Sequence, residues 1–216
     1  MPIIYINSCC WLSYPTRPKA EGTRPKAGPS QPKAGPSQPQ AGSVQPKAIE
    51  CYVDADFSGN WNAIDSEDSE NVLSRSGFII FYAGCPIHWV SKLQTEIALS
   101  TTESEYIALS QSMRDVIPLI NLLKEFEKVL PIEKIQPEVK CKVFEDNTSC
   151  ISVAKAPSMT PRTKHIALKY HHFRSFVKSG AIDIRSIGTT EQTADILTKP
   201  LSGELFIYLR KKMMGW

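Results

Sequence analysis

Three short apolar runs follow one another in the chain beyond residue 48. IECYVDAD, SGFIIFYAG and PIHWVSK are rich in β-branched and aromatic residues, and Gly, Ser, Asn or Pro residues bound each of them. We therefore expect three β-strands with short connections, paired as an antiparallel meander.

A longer apolar pattern with helical spacing comes next, in STTESEYIALSQSMRDVIPLINLLKEFEKVL. Two capping-box patterns open this segment, Ser100-x-x-Glu103 and Thr102-x-x-Glu105. The segment predicts a long helix that Pro118 kinks or divides in two.

Strand and helix patterns alternate through the rest of the chain. EVKCKVFED predicts a strand, NTSCISVAKA a short helix, KHIALKYHHFRSFVKSG a helix closed by Gly180, and AIDIRSIG a strand. A last helix starts at the Thr189-x-x-Gln192 cap, and Pro200 breaks it before GELFIYLRKKMM. The order β-β-β-α-β-α-α-β-α predicts an α/β fold with a mixed sheet, whose later strands join through helical crossovers. Ligands of such sheets gather near the carboxyl ends of the strands.

The N-terminal part of the chain has a different composition. An imperfect seven-residue repeat places proline at positions 18, 25, 32, 39 and 46, which excludes a coiled coil. Residues 17–48 are therefore expected to be a disordered, partly polyproline-like linker, either without a specific role or acting as a protein-docking module. Residues 1–16 form a short apolar segment without an assignment, 49–201 a folded domain, and 202–216 a C-terminal helical tail.

Composition indicates the compartment of the chain more than it indicates its chemistry. The 216 residues carry a formal net charge of only +3, so bulk charge does not decide whether the partner is a polyanion. Six cysteines without zinc-site spacing favour a reducing, intracellular compartment, either cytoplasmic or nuclear. The apolar N-terminal run lacks a basic leader and is too short to cross a bilayer, so we expect neither export nor a membrane partner.

Four acidic residues are placed where they could meet at one end of the predicted sheet: Asp54, Glu105, Asp146 and Asp195. Clustered carboxylates repel one another unless divalent cations neutralise them, and all-oxygen ligand sets favour magnesium or manganese. Each acid alone also fits an ordinary role as a solvated carboxylate or a helix cap. Glu103 and Glu105 are about 200° apart around a helix, so only one of them can face a common site, and periodicity does not choose between them.

Six strings occur in an order that resembles the ribonuclease H domain of copia-type retrotransposon polyproteins. They are YVDAD, SRSGFIIFYAGCPIHWVSKLQ, ALSTTESEYIALS, EDNTSCISVAK, RTKHIALKYHHFR and TADILTKPL, and the resemblance spans about residues 50–201. It implies a ribonuclease H-like fold, with a five-stranded mixed sheet flanked by helices. It also implies divalent-metal-dependent cleavage of the RNA strand of an RNA–DNA hybrid during reverse transcription.

The resemblance also implies which acids do the chemistry. The family's D-A-D, T-E-x-E-Y, D-N and A-D-I-L-T-K-P strings place its acids on four positions here: Asp54, Glu105, Asp146 and Asp195. Two Mg²⁺ or Mn²⁺ ions are implied, with Asp54 bridging both, Glu105 and Asp146 on either side, and Asp195 completing the second site. The resemblance implies no metal-bridging role for Asp56, which lies next to the predicted turn.

A basic stretch rich in aromatic residues runs from Arg162 to Arg185 and is a candidate phosphate-tracking face. The candidate nucleic-acid contacts are Arg162, Lys164, His165, Lys169 and Arg174. A solvated basic helix face is the competing interpretation. The neighbouring histidines lack cysteines at finger spacing, which argues against a zinc site.

Two interpretations of function remain open from the sequence. The first is an active ribonuclease H, and the second is a catalytically inactive, nucleic-acid-binding remnant or domesticated fragment. Departures from the family pattern include Glu145 before Asp146, which adds charge beside the expected metals. Since reverse transcriptase, integrase and protease patterns are not found, we expect a fragment of a polyprotein, a separate relic or a domesticated gene. In the first case, a reverse transcriptase domain of the parent polyprotein is the candidate partner.

Overall fold

The computed structural model of the chain describes residues 49–59, 71–129, 140–158 and 168–215. The expected N-terminal segment 1–16 and linker 17–48 lie outside these ranges, so the proposed domain division stays a prediction. None of the helices within the described ranges combines the length and the apolar character that crossing a bilayer requires.

A five-stranded mixed sheet forms the centre of the described chain. Its strands are β1 (Ile49–Asp56), β2 (Arg75–Tyr82), β3 (Cys85–Leu93), β4 (Cys141–Glu145) and β5 (Ile182–Ser186). The spatial order is β3-β2-β1-β4-β5. The first three strands pair antiparallel, whereas β4 lies parallel to β1 and β5 parallel to β4. The fold class predicted from the sequence is confirmed.

Helices flank this sheet. They are α1 (Thr101–Val129), α2 (Thr148–Lys155), α3 (Arg174–Lys178), α4 (Asp195–Thr198) and α5 (Gly203–Met214), with 3₁₀ turns at Leu168–His171 and Thr189–Glu191. Of the two effects expected of Pro118, the division of α1 is wrong, because the helix runs without interruption through this residue, whereas the kink stays a prediction. The expected break at Pro200 is confirmed, since it separates α4 from α5.

The helix expected over KHIALKYHHFRSFVKSG is not continuous within the described residues. Residues 164–167 lie outside them, and the rest forms a 3₁₀ turn followed by the short α3. Tyr170 in this turn and Phe173 just after it are both buried, and the Tyr106 hydroxyl of α1 hydrogen-bonds the His171 ring at 2.7 Å. Contacts with α1 therefore accompany the departure from the helical pattern. Gly180 ends the segment at φ +76°, as expected.

The two faces of β1 bury different sets of side chains. Cys51 and Val53 belong to the larger core, which includes the buried face of α1. Tyr52 belongs to a smaller core on the other face, to which Ala194, just before α4, and Met213 of α5 contribute. The end of β1 therefore lies between α1 and α4, which is where the site is built.

Gly77 allows α4 to approach the sheet closely. It pairs with Asp54 across the β1–β2 ladder, and a Cβ at this position would lie 2.5 Å from Thr198 Cγ2 and 3.0 Å from Leu197 Cβ. Only a residue without a side chain fits between β2 and α4 at this point.

Gly77→Ala is therefore expected to lower the free energy of unfolding by about 1–3 kcal/mol, the usual cost of overpacking. Urea denaturation of the full chain measures this change. Gly203→Ala is the matched control, because a Cβ at Gly203 meets nothing within 4 Å. A Gly77→Ala protein as stable as the wild type would show that α4 is not held against β2.

Candidate active site

Three separate elements bring three carboxylates together. Asp54 lies near the end of β1, Glu105 in the second turn of α1, and Asp146 directly after β4. One oxygen of each lies within 4.8 Å of the others. Since β1 and β4 are parallel neighbours, their carboxyl ends meet at one edge of the sheet. Asp54 is fully buried, Glu105 is 7% exposed and Asp146 is half-buried.

Hydrogen bonds distinguish Glu103 from Glu105. The Glu103 backbone N–H donates to Ser100 Oγ at 3.1 Å, and the Leu99 N–H donates to Glu103 Oε2 at 2.8 Å. Glu103 therefore acts as a helix cap. Glu105 joins Asp54 and Asp146 instead, and within the described part of the chain its buried Oε2 has no hydrogen-bond partner.

Burial and like charge make Glu105 hard to ionise. Burial, followed by the neighbouring Glu145 and Asp54 carboxylates, raises the pKa of Glu105 to about 11. Glu145 is itself fully buried, and burial raises its pKa well above the usual range. The Asn147 backbone N–H donates to Glu145 Oε1 at 3.2 Å, and this bond and the Cys150 side chain only partly offset the effect of burial on the pKa of Glu145. Ionising all the acids at this edge of the sheet therefore requires positive charge that its hydrogen bonds do not supply.

Asp195, the first residue of α4, reaches the same region by a different contact. It does not belong to the three-acid group, and a lysine separates it from Asp54. Lys199 Nζ lies 3.0 Å from Asp195 Oδ1 and 3.4 Å from Asp54 Oδ1. Burial and the Asp54 carboxylate raise the pKa of Asp195 to about 7. Burial lowers the pKa of Lys199, but Asp54 and Asp195 outweigh it and raise the pKa above its ordinary value.

Sequence reasoning missed Lys199 and its neighbour Thr198, whose hydroxyl donates a short hydrogen bond to Asp54 Oδ2. One signal was present, because Lys199 follows Asp195 by four residues, the spacing of an ion pair on a helix face. The contact of both residues with Asp54 depends on how α4 packs on the sheet, and no local pattern encodes that packing.

The donor set fits a hard divalent cation. The three grouped acids offer only carboxylate oxygens, the type of ligand that Mg²⁺ and Mn²⁺ prefer. These oxygens lie within 4.8 Å of one another, close enough for one divalent cation to contact all three. The buried Glu105 Oε2, which no group of the described residues hydrogen-bonds, is the atom such an ion would satisfy.

The expected nucleic-acid contacts are only partly within the described residues. Arg162, Lys164 and His165 lie outside them, and Lys169 belongs to the 3₁₀ turn Leu168–His171. The Arg174 guanidinium donates to the Ala156 carbonyl, which links α3 to the end of α2. The interface itself therefore stays a prediction.

Comparison with curated proteins finds relatives among transposon polyproteins. The chain is 33% identical over 166 residues to the retrovirus-related Pol polyprotein from transposon RE2 of Arabidopsis thaliana, covering 77% of the chain and 10% of the relative. It is 35% identical over 164 residues to the corresponding polyprotein from transposon TNT 1-94 of Nicotiana tabacum, covering 76% and 11%. The chain thus spans about a tenth of these relatives. No protein-family model matches it.

Solved structures similar to the chain include LC11-RNase H1, isolated from compost. Its structure has a TM-score of 0.48 at 16% identity, covering 70% of this chain and 93% of that one. LC11-RNase H1 in complex with an RNA/DNA hybrid has a TM-score of 0.45 at 17% identity, covering 69% and 93%. The resemblance to transposon polyproteins noted in the sequence is confirmed, because the chain is homologous to one segment of the retrovirus-related Pol polyproteins of transposons.

Proposed function

We propose that this chain is a metal-dependent ribonuclease H that hydrolyses the RNA strand of RNA–DNA hybrids, as part of a transposon Pol polyprotein. The convergence of Asp54, Glu105 and Asp146 from three separate elements carries the proposal. A buried group of like charges costs folding free energy, so its presence favours a role that requires it. Homology to Pol polyproteins favours reverse transcription as the setting, with a reverse transcriptase domain as partner.

In this proposal, the four acids bind the metal ions. Asp54, Glu105 and Asp146, together with Asp195, would hold two Mg²⁺ or Mn²⁺ ions, with Asp54 shared. When bound, the ions supply activation of the attacking water and neutralise charge that develops on the phosphate. Thr198 holds the Asp54 carboxylate in place through its hydroxyl. Glu105 Oε2 remains available because no group within the described residues hydrogen-bonds it.

Holding the substrate is the task of basic residues rather than of the four acids. An acidic site repels phosphate, so basic groups have to supply the attraction to the nucleic-acid backbone. We assign that task to the basic stretch from Arg162 to Arg185, with Arg162, Lys164, His165, Lys169 and Arg174 as the candidate contacts. Discrimination of RNA from DNA would use contacts to the 2′-hydroxyl groups.

A cleavage assay on the purified full chain tests the proposal. With a labelled RNA–DNA hybrid, we expect cleavage of the RNA strand in Mg²⁺ or Mn²⁺ and none in EDTA. The same strand paired with RNA, or left single, should stay intact. An Asp146→Asn protein purified in parallel controls for contaminating host nuclease.

Two results would contradict the proposal. Salt-dependent binding of the hybrid without cleavage in any divalent metal would identify the chain as an inactive nucleic-acid-binding remnant. Equal cleavage by the wild type and the Asp146→Asn protein would assign the activity to a contaminant.

A further inference from the structure

Lys199 lies where a second cation would be expected. Its ammonium contacts Asp54 Oδ1 at 3.4 Å and Asp195 Oδ1 at 3.0 Å. Both carboxylates are almost fully buried, with side-chain exposures of 1% and 2%, whereas the Lys199 side chain is 31% exposed. The ammonium therefore bridges two buried acids and keeps a route to solvent.

The Asp54 carboxylate and the backbone that carries Asp195 are held by contacts that do not involve Lys199. Thr198 donates to Asp54, and Ser91 Oγ donates to the Leu197 carbonyl at 2.5 Å. Gly77 lets the same turn of α4 lie against β2. These contacts fix the backbone of α4, so Lys199 can leave through rotation of its side chain alone.

We propose that Lys199 is a positioning residue that controls entry of the second divalent ion. Without nucleic acid, the chain binds one ion at Asp54, Glu105 and Asp146, while the Lys199 ammonium fills the place between Asp54 and Asp195. An ammonium and a divalent cation repel strongly at such short separations, so they exclude each other there. This inference rests on the proposed function and adds an order of events to it.

Binding of a phosphate backbone would then favour the second ion. A lysine side chain is flexible and carries a compact charge, so a nearby phosphate can attract its ammonium away from the carboxylates. Displacement of Lys199 by substrate raises the affinity for the second ion, and by linkage the second ion raises the affinity for substrate. The site would thus be completed only when a substrate is present.

Manganese binding without nucleic acid tests the inference, with a readout separate from catalysis. Electron paramagnetic resonance of free Mn²⁺ is measured during titration of the full-length wild type, Lys199→Met and Lys199→Arg. We expect one tight Mn²⁺ per chain in the wild type and in Lys199→Arg. Lys199→Met should bind a second ion at least about tenfold more tightly than the wild type does, which corresponds to about 1.4 kcal/mol. Adding Asp195→Asn to Lys199→Met should remove that second ion.

Lys128→Met is the matched control, because Lys128 forms an exposed ion pair with Glu125 on α1. An equal gain of Mn²⁺ binding in Lys128→Met, or no gain in Lys199→Met, would overturn the inference. If the wild type binds one ion and Lys199→Met gains none, the first site, and with it the proposed function, still stands. If the wild type binds no ion, both fail. Thermal melts verify that each variant folds. If Lys199→Met does not fold, it is replaced by Lys199→Gln, which keeps a hydrogen-bond donor toward Asp54.

Discussion

Replacing Asp54 by Asn is expected to reduce hybrid cleavage by at least about 10²- to 10³-fold, the usual loss when one electrostatic stabiliser is removed from an active site. Asp54 belongs to the three-acid group and also contacts Lys199, so it adjoins both proposed cation positions. An amide oxygen can still accept a hydrogen bond, but it lacks the negative charge that balances a divalent ion. Initial cleavage rates of the full chain in saturating Mg²⁺ measure the effect.

The fold should survive this change. Asn at position 54 can accept the hydrogen bond from the Thr198 hydroxyl, and Lys199 keeps its ion pair with Asp195. Circular dichroism should therefore be unchanged while tight Mn²⁺ binding is lost. Glu125→Gln is the control, because Glu125 forms an exposed ion pair with Lys128 on α1, and its cleavage rate should equal that of the wild type. Full activity in Asp54→Asn would remove Asp54 from the catalytic site.

The strands could be predicted because local pattern and tertiary environment agree. Each of the first three apolar runs is long enough for one strand and is followed by turn residues, and the structure places β1, β2 and β3 there. The parallel half of the sheet follows from the crossover rule once helices separate the later strands. The segment around Tyr170 could not be predicted in the same way, because its 3₁₀ geometry depends on contacts with α1.

The site could be predicted less completely than the fold. Both Glu103 and Glu105 fit a capping pattern, so spacing alone could not choose between them, and the family resemblance pointed to Glu105. The structure places Glu105 with Asp54 and Asp146 and uses Glu103 as a cap. Lys199 was missed for a physical reason: it lies 145 positions from Asp54, and only the docking of α4 on the sheet brings them together.

Without divalent cations, the free energy of unfolding is expected to fall as pH rises from 5 to 8. Glu105 has a pKa near 11 in the folded chain, against an ordinary value of 4.5, so the folded state holds a proton that the unfolded chain releases. The contribution of Glu105 to the free energy of unfolding is complete below about pH 4.5. It declines as pH rises toward 11, at about 1.4 kcal/mol per pH unit. Glu145 acts in the same direction, as does Asp195 up to its pKa of about 7.

Glu105→Gln should remove part of this dependence. The amide imitates the protonated carboxyl and cannot ionise in the unfolded chain, so at pH 8 in EDTA the variant should be more stable than the wild type by about 2–4 kcal/mol. Urea denaturation at pH 5, 6, 7 and 8 measures both the stability and its slope. Mg²⁺ should reduce the slope of the wild type, because it stabilises ionised Glu105, and should have less effect on the variant.

Glu103→Gln is the matched control for Glu105→Gln, because it also replaces a buried glutamate on α1. Glu103 accepts the Leu99 N–H at the start of the helix, outside the acid group, so its replacement should cost about 1 kcal/mol or less at every pH and leave the slope unchanged. A wild-type stability that rises between pH 5 and 8 in EDTA would contradict the expected direction of the pH dependence. A Glu105→Gln protein no more stable than the wild type at pH 8 would show that Glu105 ionises at little cost. In that case the buried acids would not need a cation to balance them.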